Sequence, residues 1–465
     1  MREAVLRFEP FDILSIHNVK GSQEVNEHGV ISFSGVISSE KEMEYLSMSF
    51  KPTWVKAFTV KFDGSEEIWF DGILSELEIE SGDDVILHVT AKTGSSLMDV
   101  SLHTRSYQEP STTYDDILSS YTDDYPKSKF IMKKGNGEVI DSLIMQYTET
   151  DWGFTRRLAS HFNSVLIPDF KAGGVNYYFG AKSSGPVSTI STDIYKVINN
   201  VEEYQEKSKA GVELSALDAV CYVYRCRDVY SLGDGLAFNG KTLYISRIST
   251  AFDGDQLYHT YYLRTQEGLQ VQKDCNLCSI GVSFYAKILE VERDRVKVSI
   301  NEDENKGGCG TRWFAYSTVY STPDGTGWYA MPEIGDDVRL YIPCENEGDG
   351  YVISATHLES SESDERVNPD YKSIMNKYKK EVLFTPDSLI ITNNNGMSIQ
   401  LLDEEGIRIV SDKTIELMSE ESINIVSTQD TVTILAPDSI LLQQSDVVTH
   451  LKENIAFGGA QVHID

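Results

Sequence analysis

The chain has 465 residues, a length that suggests about three domains. Its formal charge of −31 comes from 72 acidic and 41 basic residues, which opposes nucleic-acid binding because phosphate contacts are made chiefly by Lys and Arg. Six cysteines are too few for a secreted disulfide framework, and we find neither a secretory opening segment nor a run of about 18 apolar residues, so we expect folding in the cytoplasm.

Aromatic residues are frequent, with 25 Tyr and 18 Phe, and they favour strands over helices. Short stretches of alternating apolar and polar residues fill most of the chain, as in "DDVILHVTAKTG", and Gly, Asp and Asn turns separate them. The predicted fold class is therefore mainly β with minor α.

Helical periodicity is concentrated in one early region. In "TDWGFTRRLASHFN", Phe154, Leu158 and Phe162 recur every four residues as one apolar stripe, and Thr150 or Asp151 is placed to cap the helix. Strand patterns resume afterwards, and a later polar, charged stretch marks a linker. The predicted organisation is a β-barrel over 1–110, an α-containing region over 111–170, a second β-barrel over 171–275, a smaller barrel over 276–357, a linker over 358–385 and a repetitive segment over 386–465.

The final segment repeats apolar residues every eight positions, with one step of nine. A period of eight is too short for a solenoid coil that closes within one chain, so each strand would leave an apolar face uncovered. Three chains wound together cover that face, with strand edges paired between chains. We predict a trimeric needle; an ordinary exposed β-meander is the alternative. The predicted axial residues are Ile399, Leu401, Ile407, Ile409, Ile415, Leu417, Ile423, Ile425, Val432, Ile434, Ile440, Leu442 and Val448.

Two further motifs resemble those of one protein family. The segment "QYTETDWGFTRRL" resembles the Q-Y-x-E-x-D-x-x-F-x-x-R-L signature of VgrG spike proteins, and "GWYAMPEIGDDVRLYIPCENEGDGYVISA" resembles their Pro-Glu-x-Gly-Asp-x-Val segment. With the terminal repeat, the resemblance covers nearly the whole chain in the family's order of hub, small barrel and needle. The matching residues are Gln146, Tyr147, Glu149, Asp151, Phe154, Arg157, Leu158, Pro332, Glu333, Gly335, Asp336 and Val338.

The resemblance implies a homotrimeric hub and spike of a contractile injection system, homologous to the central baseplate spike of contractile-tailed phages. It implies two hub β-barrels, an OB-fold small barrel and an intertwined β-helix needle. Two similar barrels in each of three chains would give a pseudo-six-fold hub that mates with a hexameric inner tube. The repeat lacks the family's frequent Val-Gly dipeptide, so Ser, Asp and Asn must set its turns.

The resemblance also implies partners. These are the inner tube or a tube-initiator protein, baseplate proteins, and a PAAR-like tip protein or an effector. The tip protein would sit on a platform formed by His463, Ile464 and Asp465 at the needle end. The target membrane is met only on firing, when contraction delivers the spike outside the cell or into the target envelope.

Motifs typical of enzymes and metal sites are weak in this chain. "GLAFNGKT" over 235–242 satisfies the phosphate-loop pattern, but the following "LYISRIS" alternates as a strand, so we predict a hairpin turn. Cys275 and Cys278 have zinc-knuckle spacing without a second such pair. Three copies of His463 on an axis would offer imidazoles to a metal, but we favour the tip platform. We predict no cofactor, no metal and no catalytic residue.

Two rival functions follow from the same patterns. The hub and spike of a bacteriophage or a phage-tail-like bacteriocin is the nearer one, and the sequence does not separate it from a secretion apparatus. A carbohydrate-active β-helical enzyme or adhesin is the more distant one, and it predicts a monomer, a secretion signal and an exposed acidic cleft. The linker of about 28 residues is too short for an inserted hydrolase domain.

Overall fold

The computed structural model describes residues 5–60, 64–182, 185–253, 256–306, 309–357 and 368–451. The chain divides into two compact units, Met1–Glu359 and Ser360–Asp465, and each is described by itself. Strands make up 44% and helices 13%, which confirms the predicted class of mainly β with minor α.

Six strands and one short helix open the first unit. Their hydrogen-bonded order is β1-β4-β5-β6-β3-β2, and alternate side chains of the sheet bury a core that includes Phe8, Phe33 and Trp69. We call this set repeat A. Its elements are β1 (Val5–Glu9), β2 (Ser15–Glu24), β3 (Val30–Ile37), α1 (Glu42–Met48), β4 (Trp54–Val60), β5 (Glu66–Ser81) and β6 (Val85–Thr93).

The predicted α-containing region, 111–170, follows. The apolar stripe of its second helix is buried, since Phe154 and Leu158 are inaccessible and Phe162 packs against the same core. Thr150 caps that helix by accepting a 3.1 Å hydrogen bond from the Gly153 N–H, as predicted. The elements are β7 (Leu102–Tyr107), α2 (Tyr114–Thr122), β8 (Lys129–Met132), β9 (Ile144–Thr150), α3 (Asp151–Ser160), β10 (Leu166–Pro168) and β11 (Asn176–Phe179). Strand β7 before the predicted range and β11 after it pair with its strands, and we use the name for β7 to β11 together.

A second set of six strands, repeat B, comes next. The predicted hairpin turn at "GLAFNGKT" is confirmed, because the two strands that flank Asn239 and Gly240 pair antiparallel and both turn residues have positive φ. The elements are β12 (Ser188–Ile190), β13 (Lys196–Asn199), α4 (Val201–Lys209), β14 (Val220–Cys226), β15 (Gly235–Phe238), β16 (Lys241–Asp253) and β17 (Gln256–Arg264).

The two repeats share one topology. Repeat B has the order β12-β15-β16-β17-β14-β13, which matches the order of repeat A strand for strand. The outer pair differs in direction, because β1 and β4 are antiparallel whereas β12 and β15 are parallel. Strand β2 pairs with β16 and joins both repeats into a 12-stranded sheet. The chain therefore contains two copies of one strand arrangement, side by side.

A smaller antiparallel sheet ends the first unit. Its order is β20-β19-β18-β21-β22, and a bridge between Tyr316 and Val352 brings the two edges together around a core that includes Phe284 and Val338. The result is a closed small barrel. Its strands are β18 (Ser283–Glu292), β19 (Arg295–Ile300), β20 (Phe314–Ala315), β21 (Asp337–Tyr341) and β22 (Tyr351–Thr356).

The second unit begins as an antiparallel meander of five strands and contains one later hairpin. Between them, the structure assigns no strand to residues 412–439. The meander strands are β23 (Lys372–Met375), β24 (Glu381–Thr385), β25 (Ser388–Thr392), β26 (Met397–Leu402) and β27 (Gly406–Ser411), and the hairpin strands are β28 (Ile440–Gln444) and β29 (Val447–Leu451).

Gly94, directly after β6, tests the packing of repeat A against the α-containing region. A Cβ at this position would lie 2.0 Å from the Gly174 carbonyl oxygen, and a backbone atom cannot move aside as a side chain can. We expect Gly94→Ala to reduce the free energy of unfolding by about 1–3 kcal/mol in a denaturant titration of the full chain. Gly82→Ala is the control, because the nearest atom lies 3.8 Å from its added Cβ. Equal effects of the two substitutions would contradict this packing.

Candidate functional site

A buried arginine ties helix α3 to the small barrel. Arg157 is 3% exposed; its Nη1 donates to Glu347 Oε1 at 3.1 Å, and its Nη2 donates to Glu149 Oε2 at 2.9 Å and to the Met145 carbonyl at 2.6 Å. Burial opposes the charge, but the two carboxylates outweigh it and raise the pKa of Arg157 above its ordinary value. We call Arg157, Glu149, Glu347 and the Met145 backbone the Arg157 cluster. It is a fixed cross-link between two parts of the chain that are distant in sequence.

The first residue of α3 organises a second network. Asp151 Oδ1 accepts from Arg105 Nη1 at 2.5 Å and from Gln146 Nε2 at 2.8 Å, and Oδ2 accepts from the Tyr125 hydroxyl at 2.7 Å. A carboxylate at this end also faces the positive end of the helix dipole. The side chain is 2% exposed, and these bonds position β7, β9 and α3 relative to one another.

The apolar residues of the "QYTETDWGFTRRL" motif pack into the core next to the polar residues of the same motif. Phe154 and Leu158 are fully buried in the core of the α-containing region. The Tyr147 ring meets Phe284 of the small barrel edge to face, with centroids 5.0 Å apart. The motif predicted from sequence is therefore a joint between the α-containing region and the small barrel, built from charge pairs on one side and aromatic packing on the other.

Several residues of this joint were not predicted from the sequence. Asp303 Oδ1 accepts from the Ser106 N–H at 2.9 Å, and Asn305 Nδ2 donates to the Ser106 carbonyl at 2.8 Å. Like Arg105 and Glu347, these residues match no position of the two family motifs. Their contacts join residues about 40 to 200 positions apart, and only the burial of charged side chains marks them.

The second motif forms the turn that leads into β21. Gly335 adopts φ +93°, and its N–H donates to a β18 carbonyl at 2.9 Å. Asp336 Oδ2 accepts a 2.8 Å hydrogen bond from the Glu333 N–H, which closes the turn. Pro332 is buried before the turn and Val338 is buried after it, inside the small barrel. These residues shape the barrel and lie apart from the Arg157 cluster in sequence.

The first predicted needle residues lie on one face of the meander. Cross-strand pairs join Ile391 to Ile399 and Ile399 to Ile409 in one column, and a parallel column joins Leu401 to Ile407. Strand β26 pairs on both edges within a single chain, with β25 and β27, so the expectation of interchain edges is wrong for β26. Among the described strands β27 pairs on one edge only, and its interchain pairing stays a prediction. The face itself is uncovered in one chain, since Ile407 is 74% exposed.

Most of the later predicted needle residues continue the repeat where the chain has no strand. From position 412 to 439, the described chain has no strand, yet it presents apolar side chains at regular intervals. Strands resume at β28 and β29, which pair Ile440 with Leu451, Leu442 with Thr449 and Val448 with Gln443. Because successive residues of a strand point to opposite faces, Val448 lies on the other face of the hairpin from Ile440 and Leu442, and the prediction that these three share one face is wrong. The exposed repeat residues of this part are Ile415, Leu417, Ile423, Ile425, Val432, Ile434, Leu442 and Val448.

The predicted tip residues His463, Ile464 and Asp465 lie outside the described residues. In the part of the chain that the structure describes, no group of three or more His, Cys, Asp or Glu side chains is placed to hold a metal ion. The same part contains no helix with the length and hydropathy of a membrane span. The six cysteines are all free thiols, including Cys275 and Cys278.

Comparison with known proteins gives matches at the level of structure. No protein-family model and no curated protein sequence matches the chain. A half-lidded Francisella PdpA–VgrG complex matches with a TM-score of 0.54 at 12% identity, over 88% of this chain and 87% of that chain. The lidless PdpA–VgrG complex matches with a TM-score of 0.51 at 12% identity, over 88% and 98%. This chain has the fold of VgrG-like hub and spike proteins.

A third match supports the same VgrG-like fold. The E. coli c3393 protein aligns with a TM-score of 0.51 at 12% identity, over 75% of this chain and 99% of that chain. It is described as a component of the type VI secretion system that is structurally similar to the T4 bacteriophage tail proteins gp27 and gp5. The resemblance predicted from two short motifs and a repeat is thereby confirmed at the level of the fold.

The joint of the VgrG-like fold can be tested at Arg157. We expect Arg157→Met to reduce the free energy of unfolding by about 3–5 kcal/mol, because Glu347 and Glu149 would stay buried without their cation. Arg156→Met is the matched control; Arg156 is exposed and lies 3.7 Å from Glu27, so its loss should cost less than about 1 kcal/mol. Denaturant unfolding of both variants measures the difference. A cost for Arg157→Met no larger than that of its neighbour would show that the cluster does not hold the joint.

Proposed function

We propose that this chain is the homotrimeric hub and spike of a contractile injection system, coupling an inner tube to a membrane-piercing needle that carries a tip protein or effector. The observation that carries the proposal is the apolar repeat of the second unit. It leaves Ile and Leu side chains exposed at fixed intervals along a single chain, over residues that have no strand partner of their own. A monomer with that surface would aggregate, whereas three chains bury it on a common axis.

Piercing is mechanical work, so the spike needs stiffness rather than a catalytic group. Strand edges paired between chains must break together with the apolar axis, which makes bending or sliding costly. In the first unit, the Arg157 cluster connects the α-containing region to the small barrel by a buried, charge-assisted hydrogen bond, and the Asp151 network fixes β7, β9 and α3 within that region. Load applied to one part of the first unit is therefore passed to the other through directional contacts.

The partners follow from the same architecture. Two copies of one strand arrangement per chain become six in a trimer, which suits a hexameric inner tube or a tube-initiator protein. Baseplate proteins would surround this hub. The solved Francisella structures are PdpA–VgrG complexes, which supports an effector or PAAR-like tip protein bound by this chain. The charge of −31 per chain opposes a nucleic-acid partner.

The phage or bacteriocin baseplate remains the alternative, and one observation favours it. The matching E. coli protein is described as structurally similar to T4 tail proteins, so the fold serves both kinds of particle. In either particle the chain would act as a non-enzymatic hub and needle.

The solution mass of the purified chain tests the proposal. We expect light scattering to give three times the 52.2 kDa chain mass, and we expect removal of residues 386–465 to abolish detergent resistance of the trimer. A full-length chain that stays monomeric at micromolar concentration would refute the trimeric spike.

A single substitution at Ile425 tests the axis directly. In a trimer, Ile425→Asp would bring three carboxylates into an apolar axis, and the cost of burying them should dissociate the needle. Asn424→Asp adds the same charge at the neighbouring, outward position and should leave the trimer intact. Light scattering and detergent gels compare the two. If both variants stay trimeric, Ile425 does not face the axis.

A further inference from the structure

Within one chain, the two repeats meet through a single pair of strands. Strand β2 of repeat A runs antiparallel to the second half of β16 in repeat B, with Lys20 opposite Ala251, Gly21 opposite Thr250 and Glu24 opposite Arg247. The first half of the same edge of β16 pairs with β15. Strand β16 therefore uses one edge twice, once inside its own repeat and once to receive the other repeat.

Strand β5 of repeat A is the equivalent of β16. Its corresponding edge pairs with a strand of its own repeat over the first half, but no strand pairs with the second half among the described residues. Strand β5 pairs with β4 as far as Ile73, and the described residues place no strand against that edge over 75–81. The other edge of this part pairs with β6. Repeat A therefore offers a free receiving edge at the position where repeat B receives β2.

The equivalent of β2 is also free. Strand β13 is the terminal strand of the 12-stranded sheet and pairs only with β14 among the described strands. Val197 is 50% exposed and Lys196 is exposed beside it. Among the described strands, β13 is therefore a counterpart of β2 with one edge unpaired, and the second half of β5 is a counterpart, also unpaired at one edge, of the part of β16 that receives β2.

The irregularities of the two receiving strands fix their alignment. Strand β5 has a bulge at Ser75 in its ladder with β6, and β16 has a bulge at Ser246 in its ladder with β17. Matching the two serines makes Glu80 equivalent to Ala251. The paired residues can then be followed across each sheet, from β5 through β6 and β3 to β2 in repeat A, and from β16 through β17 and β14 to β13 in repeat B. This makes Lys196 equivalent to Lys20.

We propose that β13 of one protomer pairs antiparallel with residues 76–80 of β5 in the next protomer, repeating between chains the contact that β2 makes with β16 within a chain. This interface rests on the proposed homotrimer. The alignment places Lys196 opposite Glu80 and Val197 opposite Ile79. Opposite charges and apolar pairs stabilise antiparallel neighbours. This complementarity is independent support, because the alignment was derived from the bulges and the strand pairings without reference to side-chain type.

The contact is head to tail, so each protomer gives one strand and receives one. Such a heterologous contact closes into a ring when the rotation permits, and closure after three chains joins six repeats and leaves neither β13 nor the second half of β5 as a free edge. The protomers would then share one continuous sheet. The partner that β13 requires is a second copy of this chain, because the receiving edge that matches it belongs to the chain itself.

Disulfide trapping in the full chain tests the register. Residues directly opposite each other in an antiparallel pair have Cα atoms about 4.5–5.5 Å apart, which is within the range that a disulfide spans. We expect Glu80→Cys combined with Lys196→Cys to give covalent dimers and trimers on oxidation, at about tenfold the yield of either single-cysteine variant. The single variants also measure the background from the six native thiols.

The matched control is Glu76→Cys combined with Lys196→Cys. Glu76 is exposed on the same strand as Glu80, but four residues along a strand are about 13 Å, which is too far for a disulfide. This control should give only the background yield. Equal yields from the two double variants would overturn the register.

Light scattering of the reduced double variant separates the two proposals. A trimer that gives no cross-link above background would overturn the β13–β5 interface and leave the homotrimeric spike standing. A monomer would overturn both, because no second chain would be present to receive β13. A trimer with cross-linking confined to the Glu80 and Lys196 pair would support the interface.

Discussion

An exposed strand edge with unpaired N–H and C=O groups is the constraint on which this architecture depends. Sheet proteins must cover, twist or pair their edges, or they associate without control. Among the described residues, the edge strands of the 12-stranded sheet are β1, β12 and β13, and the small barrel brings its own edges together through Tyr316 and Val352. The second unit presents strands whose apolar face has no cover within one chain. The small barrel satisfies its edges within the chain. In the described part of the chain, the edges of the 12-stranded sheet and the apolar face of the repeat can be covered only by association with further chains.

The charged joint has a different character from the sheets. Hydrophobic contact is non-directional and tolerates sliding, whereas the Arg157 guanidinium is held by two carboxylates and a carbonyl in one geometry. Such a buried ion pair is a weak source of net stability, because desolvating the charges offsets much of their attraction. What it supplies is the fixed orientation of α3 relative to the small barrel.

Local patterns in the sequence predicted what local physics controls. The helix at Phe154 and Leu158, its Thr150 cap and the hairpin at Asn239 all depend on neighbours within a few residues, and all three are present. The partners Arg105, Asp303 and Glu347 were not predictable, because they act across long sequence separations and carry no periodic signal. The duplication was implied only by the family resemblance, and no residue pattern marked the six shared strands. What the repeats share is backbone pairing, which many side-chain sequences can satisfy.

In the proposed trimer, the meander of the second unit would help three chains find their alignment. A sequence that repeats every eight residues can slip by one unit and still match apolar to apolar, so the repeat alone specifies alignment weakly. Strands β23 to β27 pair within each chain before any partner is needed, and they give each protomer a fixed end from which association proceeds. The nine-residue step between Ile423 and Val432 adds a landmark, because a slipped chain would place its longer turn against a shorter one. In the proposed trimer, slippage would thereby be opposed at both the start and the middle of the repeat, and the three chains would reach the needle end together.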